Sequence, residues 1–142
     1  MIIGIGTDLC DIRRIESTIG KFGERFIERI FTKKERAYCD SKSARASAYA
    51  KRFAAKEAAA KALSGPKTGH LRWRDVEVSN DISGRPVITL HKQAAERLES
   101  LTPSGMSAHI HLSLTDDYPY AQAFVICEVR PINANSKRLI HG

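Results

Sequence analysis

The sequence predicts an α+β fold in which an N-terminal strand and helices pack on a mostly antiparallel sheet. Three observations carry this. The chain opens on an apolar segment broken by glycines. Apolar residues then recur at spacings of three and four through much of the first half, and apolar and polar residues alternate in the second. At 142 residues, 42% hydrophobic and 27% charged, the chain has the size and composition of one ordinary globular domain. We expect that domain to span residues 1–130, followed by a polar, aperiodic tail over 131–142.

Ile2 to Leu9 reads as a short buried strand ending at Thr7-Asp8. From Ile12, the residues Ile15, Ile19, Phe22, Phe26 and Ile30 continue a helical period, which Gly20 and Gly23 should divide into two helices. Asp11 is well placed to cap the first. Thr32-Lys33-Lys34-Glu35 is a capping-box pattern opening a helix toward Cys39. The alanine-rich stretch Ser43 to Leu63 is the longest predicted helix, and Gly65-Pro66 should stop it. Val76 and Val78, the Ser83-Gly84 turn and Val87 to Leu90 describe a pair of strands. Lys92 to Leu101 is a short amphipathic helix. Ser107 to Leu114 and Ala121 to Val129 read as strands joined through Asp116-Asp117-Tyr118-Pro119.

No apolar run is long enough to span a bilayer, and the N-terminus lacks the basic start and length of a secretion signal. Cys10, Cys39 and Cys127 are odd in number, widely spaced and form no CxxC pair, so reduced, buried thiols in a cytoplasmic protein are expected. The net charge of +7 is uneven: residues 1–75 hold 17 Lys/Arg against 9 Asp/Glu, and residues 76–142 hold 6 against 7. Such an excess favours an anionic partner or serves only as a solvated basic surface. A small nucleic-acid-binding protein without catalysis is one alternative, but the few aromatics are not interleaved with the basic residues as a stacking surface requires.

Glu57 and Lys61 carry the most suggestive chemistry. With 100° per residue, Ala50, Phe53, Lys61 and Ser64 fall within about 40° of Glu57, so its stripe is partly apolar. An ordinary Glu–Lys pair four residues apart is worth only about 0.2–0.5 kcal/mol. A carboxylate beside a core, however, needs a partner or a cation. Asp8 offers a second carboxylate at the end of the first strand, or else it is a cap or turn residue. Two hard oxygen ligands with open positions suit Mg²⁺. His109 and His111 face the same way on a strand and more often pack or bond a neighbour than bind metal. Gly4-Ile5-Gly6 lacks the pattern of a phosphate loop, and Ser113 lacks a nucleophile elbow.

Gly4-Ile5-Gly6-Thr7-Asp8-Leu9, taken with Arg52-Phe53-Ala54-Ala55-Lys56-Glu57-Ala58 and Lys61-Ala62, resembles the holo-acyl-carrier-protein synthases. These are the short bacterial type of 4′-phosphopantetheinyl transferase. The likeness continues through Arg14-Ile15, Arg25 to Thr32, Gly84-Arg85-Pro86 and His111 to Asp116, in the family's order and as far as about Val129.

The resemblance implies a phosphopantetheinyl transferase-like fold over residues 1–130 and transfer of the 4′-phosphopantetheine arm of coenzyme A to a serine of apo-acyl-carrier protein. Adenosine 3′,5′-bisphosphate leaves, and the product supports fatty acid biosynthesis. It implies Mg²⁺ held by Asp8 and Glu57, with Glu57 and Lys61 catalytic and Lys61 on a phosphate oxygen. The serine proton goes to Glu57 or to a metal-bound water, which the sequence leaves open. Arg52 and His111 match positions that meet the 3′-phosphate and ribose end of coenzyme A, and Ser64-Gly65-Pro66 a turn along the nucleotide. That turn is less glycine-rich than the family's usual version. Arg14, Arg25, Phe26 and Arg29 match a docking surface for the acidic carrier protein. A homotrimer with sites between subunits is implied, and neither nucleic acid nor membrane is expected as a partner. A non-catalytic carrier-binding relative is the other alternative, against which Asp8, Glu57 and Lys61 are all in place.

Overall fold

Strand β1 (Ile2–Asp11) alternates residues toward and away from the core, and in the computed structural model every element is arranged around that alternation. The structure describes residues 1–65 and 70–133. After β1 come α1 (Ile12–Phe22), α2 (Glu24–Ile30), α3 (Lys33–Asp40), the long α4 (Arg45–Ala62) and a 3-10 turn (Trp73–Asp75). Strands β2 (Val76–Asn80) and β3 (Pro86–Leu90), helix α5 (Lys92–Leu101), and strands β4 (Met106–Asp117) and β5 (Tyr120–Pro131) complete the chain. β5 lies between β1 and β4 in an antiparallel three-stranded sheet, and β2 pairs with β3 in a separate antiparallel ribbon. The expected mixture of helices on antiparallel sheet is what forms.

Helix α4 packs across one face of the three-stranded sheet and runs antiparallel to β1. Gly4 and Gly6 permit this closeness: a Cβ on Gly4 would stand 2.0 Å from the Ala62 carbonyl oxygen, and one on Gly6 1.9 Å from that of Ala58. The helix answers with small residues, Ala54, Ala55, Ala58, Ala59 and Ala62, all buried. Opposite them, Ala121, Ala123, Val125, Cys127 and Val129 of β5 complete the core layer. The three thiols are free and buried as expected. Burial is the first cause that pushes Cys10 and Cys127 up to about 11 and Cys39 up to about 12, so all stay protonated at neutral pH.

The other side of α4 is held by a charge pair the sequence does not announce. Thr32 and Glu35 form the expected capping box, but the Glu35 carboxylate is fully buried and does more than cap. It accepts from Lys56 Nζ at 2.8 Å and from the Val78 backbone N–H at 2.9 Å. Lys56 Nζ also donates to the carbonyls of Trp73 and Val76. One buried ion pair thus joins α3, α4, the 3-10 turn and β2. Burial depresses the Lys56 pKa, and Glu35 opposes that shift.

Several boundaries differ from expectation. Gly20 does not interrupt α1, because it sits on an open helix surface with no atom near its Cβ position; only Gly23, at φ 59°, breaks the chain. β1 runs two residues past Leu9, since pairing with β5 continues through Asp11 opposite Tyr120. Asp11 still caps α1, accepting from the Arg13 N–H at 3.0 Å. α4 starts at Arg45 and closes at Ala62. In the last hairpin Asp116 and Asp117 remain paired in β4, so Tyr118-Pro119 alone make the turn. β5 extends to Pro131, and residues 134–142 of the expected tail, like Pro66, lie outside the described residues.

Two glycine substitutions should move stability in opposite directions. Gly6→Ala drives a Cβ into backbone and should cost more than about 3 kcal/mol. Gly20→Ala meets nothing and should gain about 0.5–1 kcal/mol from helix propensity. Urea unfolding midpoints of both variants check this.

Candidate active site

Because Gly4 and Gly6 face α4, so does the next residue on that side of β1, Asp8, which lies opposite Ala123. The helix register set by the two glycines places Glu57 and Lys61 over it. Lys61 does not turn to its helix neighbour Glu57. Its Nζ crosses to β1 and donates to the Thr7 carbonyl at 2.8 Å and to Asp8 Oδ1 at 3.3 Å. Asp8 therefore belongs to the strand and is neither cap nor turn.

Glu57 is left facing Asp8 without an ion pair of its own among the described residues. Burial raises its pKa first and the Asp8 charge second, with Lys61 and His70 opposing. Two carboxylates held in mutual repulsion at the mouth of a cavity are hard oxygen donors that favour a divalent cation. Among the described residues there is no group of three or more His, Cys, Asp or Glu able to hold a metal. A cation here would have two carboxylates and would draw its remaining ligands from water or substrate.

Asp8 and Glu57 line a cavity of about 320 Å³ together with Arg14, Thr18, Phe26 and Phe53. The tertiary structure thus brings the carboxylates together with two of the residues assigned to docking. Phe53 is fixed by stacking on Trp73, with ring centroids 5.2 Å apart. Arg25 and Arg29 are exposed on α2, four residues apart on one side, and Arg29 reaches a separate cleft beyond. Ser64 Oγ donates to the Lys61 carbonyl at 2.7 Å just past the end of α4, and Gly65 follows it.

Arg52 and His111 are not brought to this cavity within the chain. Arg52 is only 3% exposed; it donates to Asn80 Oδ1 at 2.9 Å and lies over the Tyr38 ring. His111 pairs across from Ile126 on the sheet face that α4 does not cover, where it bonds Glu128 at 2.8 Å. His109 shares that face and bonds Ser107. Beside His111 a cavity of about 270 Å³ includes Asp81, Arg85 and Pro86. The same uncovered face carries Ile5 and Phe124, with Ile5 59% exposed. Sequence reasoning read Gly4 and Gly6 as breaks in a strand and as part of the family motif, with no packing role. Their spacing of two, ending on Asp8, was the available signal that one face of β1 meets a helix backbone.

Residues 4–123 match the model of the 4′-phosphopantetheinyl transferase superfamily. The chain is 55% identical over 136 residues to a holo-[acyl-carrier-protein] synthase of Methylorubrum extorquens, covering 96% of this chain and all of that one. It superposes on the crystal structure of a holo-[acyl-carrier-protein] synthase from Neisseria meningitidis with a TM-score of 0.78 and 35% identity, covering 90% of this chain and 99% of the other. The Helicobacter pylori enzyme, solved in complex with coenzyme A, gives a TM-score of 0.72 at 31% identity over 87% and 99% of the respective chains.

The strained carboxylate pair has a measurable signature. Glu57 has a raised folded pKa, so its charged form destabilises the metal-free fold at pH values above that pKa. Glu57→Gln should therefore raise the melting temperature in chelator at pH 8. The gain should vanish at pH 4, where the wild-type carboxyl is protonated, and melts at the two pH values test it.

Proposed function

The chain belongs to the 4′-phosphopantetheinyl transferase superfamily and is a homologue of holo-[acyl-carrier-protein] synthases; from that premise we propose that it transfers the phosphopantetheine arm of coenzyme A to a serine of an apo-acyl-carrier protein. The observation that carries the proposal is the convergence of Asp8 and Glu57 at one cavity that Arg14 and Phe26 also line, with Lys61 bonded to Asp8. In the reaction the serine oxygen bonds to the phosphorus that bears the pantetheine arm. The bond from that phosphorus to the bridging oxygen breaks, and adenosine 3′,5′-bisphosphate leaves with the electron pair.

Asp8 and Glu57 would hold Mg²⁺, whose charge would neutralise the pyrophosphate for attack. Lys61, bonded to Asp8 and the Thr7 carbonyl, would hold a phosphate oxygen and stabilise the charge that develops on the leaving group. The serine proton passes to a Glu57 carboxylate oxygen, whose proton affinity burial and Asp8 have raised, or to a water. Ser64, Gly65 and Pro66 would follow the nucleotide.

His111 lies on the opposite face of the sheet from Glu57, so it joins such a site only from a second copy of the chain. That placement, and the apolar Ile5 and Phe124 on the same uncovered face, support a homotrimer with sites between subunits. No helix among the described residues is long and apolar enough to cross a membrane. A cytoplasmic enzyme serving fatty acid biosynthesis is the setting this reaction implies. Arg14, Arg25, Phe26 and Arg29 would dock the acidic carrier near the cavity.

The decisive assay combines protein, coenzyme A, Mg²⁺ and an apo-carrier, and weighs the carrier for the added arm; no transfer where a known transferase succeeds would reject the reading. Asp8→Asn and Glu57→Gln should each lower kcat about a hundredfold or more. The Mg²⁺ needed for half-maximal rate should rise as pH falls, because proton and metal compete for Glu57.

Mixing supplies a separate check on the shared site. Glu57→Gln and His111→Ala proteins, inactive or weak alone, should regain activity after being unfolded and refolded together. Absence of recovery, with trimers present by sedimentation, would place His111 outside the site.

A further inference from the structure

A cleft of about 940 Å³ opens between α2, α3, the 3-10 turn and the start of α5. Its cations come from four separate elements or their flanks: Arg29, Lys33, Arg36, Arg72, Arg74 and Lys92. The two carboxylates at its wall, Asp75 and Glu77, are too few to balance them, and Glu77 also engages His91 at 3.2 Å. Among the described residues, only Arg36 of the six forms an ion pair, a long one of 3.7 Å to Glu28. The Nε of Arg36 is buried without a partner. Other cations of the chain do have carboxylate partners, as Arg13 has Asp11, Arg45 has Asp40 and Lys51 has Asp116. Like charges gathered from distant parts of a chain repel one another and cost stability unless an anion occupies the space between them.

We infer that this cleft is a second, electrostatic docking contact for the carrier protein, continuing the basic surface of Arg14, Arg25 and Arg29 onto Lys33, Arg72 and Arg74. The inference rests on the carrier-docking reading above. Arg29 links the two regions: it is on the same side of α2 as Arg25, and it lines the cleft. A cleft nearly three times the volume of the one beside Glu57, with cations spread around its rim, suits a ligand presenting several separated negative charges. The acidic surface of a folded carrier is such a ligand, and it would already lie against Arg29. Exposed charges of this kind speed encounter and fix register more than they add contact energy.

Steady-state kinetics with the full chain, coenzyme A, Mg²⁺ and apo-carrier test it. Arg72→Glu/Arg74→Glu should raise KM for the carrier about tenfold at low salt, leave KM for coenzyme A unchanged, and lose most of that effect at high salt. Both arginines are exposed, and a melting temperature that does not fall, with an unchanged coenzyme A KM, verifies the fold. Lys42→Glu, an exposed lysine outside the cleft, should change neither constant. Arg14→Glu is run alongside. If Arg14→Glu raises the carrier KM and the cleft variant does not, the extension is overturned while carrier docking stands. If neither does, both fall. If the cleft variant loses binding of inorganic pyrophosphate that the wild type shows, with carrier KM unchanged, the cleft takes a small polyanion and the inference is overturned.

Discussion

The close approach of α4 to β1 is the constraint on which the rest of this structure depends. Two side chains are missing where two carbonyl oxygens need the space, at Gly4 beneath Ala62 and Gly6 beneath Ala58. Hydrophobic burial alone has no direction, and an alanine-rich helix could slide on a smooth sheet with little change in area. Backbone contact at two points spaced by one helical turn removes that freedom. It also decides that Asp8, next in the alternation, meets Glu57 and Lys61 and not an apolar neighbour.

The opposite flank of the helix is secured by a different kind of force. Lys56 and Glu35 are both removed from water, which is expensive for each charge taken singly. Their arrangement offsets that cost, because Glu35 also accepts backbone N–H groups of Thr32 and Val78 while Lys56 donates to two carbonyls. Lys56 and Glu57 are adjacent in sequence, yet one is locked in the core and the other faces a cavity. A turn of 100° separates the two roles. The buried pair holds the helix from rotating, and so keeps Glu57 aimed at Asp8.

The sheet then divides the functional residues. Its covered face holds the carboxylates and Lys61, and its uncovered face holds His111 beside exposed Ile5 and Phe124. A strand alternates at every residue, so neighbours in sequence on β4 point to opposite sides. The basic excess of the N-terminal half is likewise distributed: Arg14 reaches the cavity of Glu57, and Arg29 reaches the larger cleft beyond α2.

Much was legible in the linear pattern. The α+β class, the order of nearly every element, the Asp11 cap and the Thr32–Glu35 capping box follow from local periodicity and local hydrogen bonding, which need no distant partner. The shared face of Glu57 and Lys61 also follows from helix geometry alone. Tertiary structure decided what those residues face. Lys61 bonds Asp8 and Thr7, more than fifty positions away in the chain, and leaves Glu57 without it. Glu35 became a buried ion partner, Arg52 turned to Asn80, and His111 was set on the far face of the sheet. The physical reason is the same throughout: periodicity reports which side of its own element a residue occupies, while the partner waiting there depends on how closely two backbones can approach. In this protein the absent side chains of Gly4 and Gly6 set that distance.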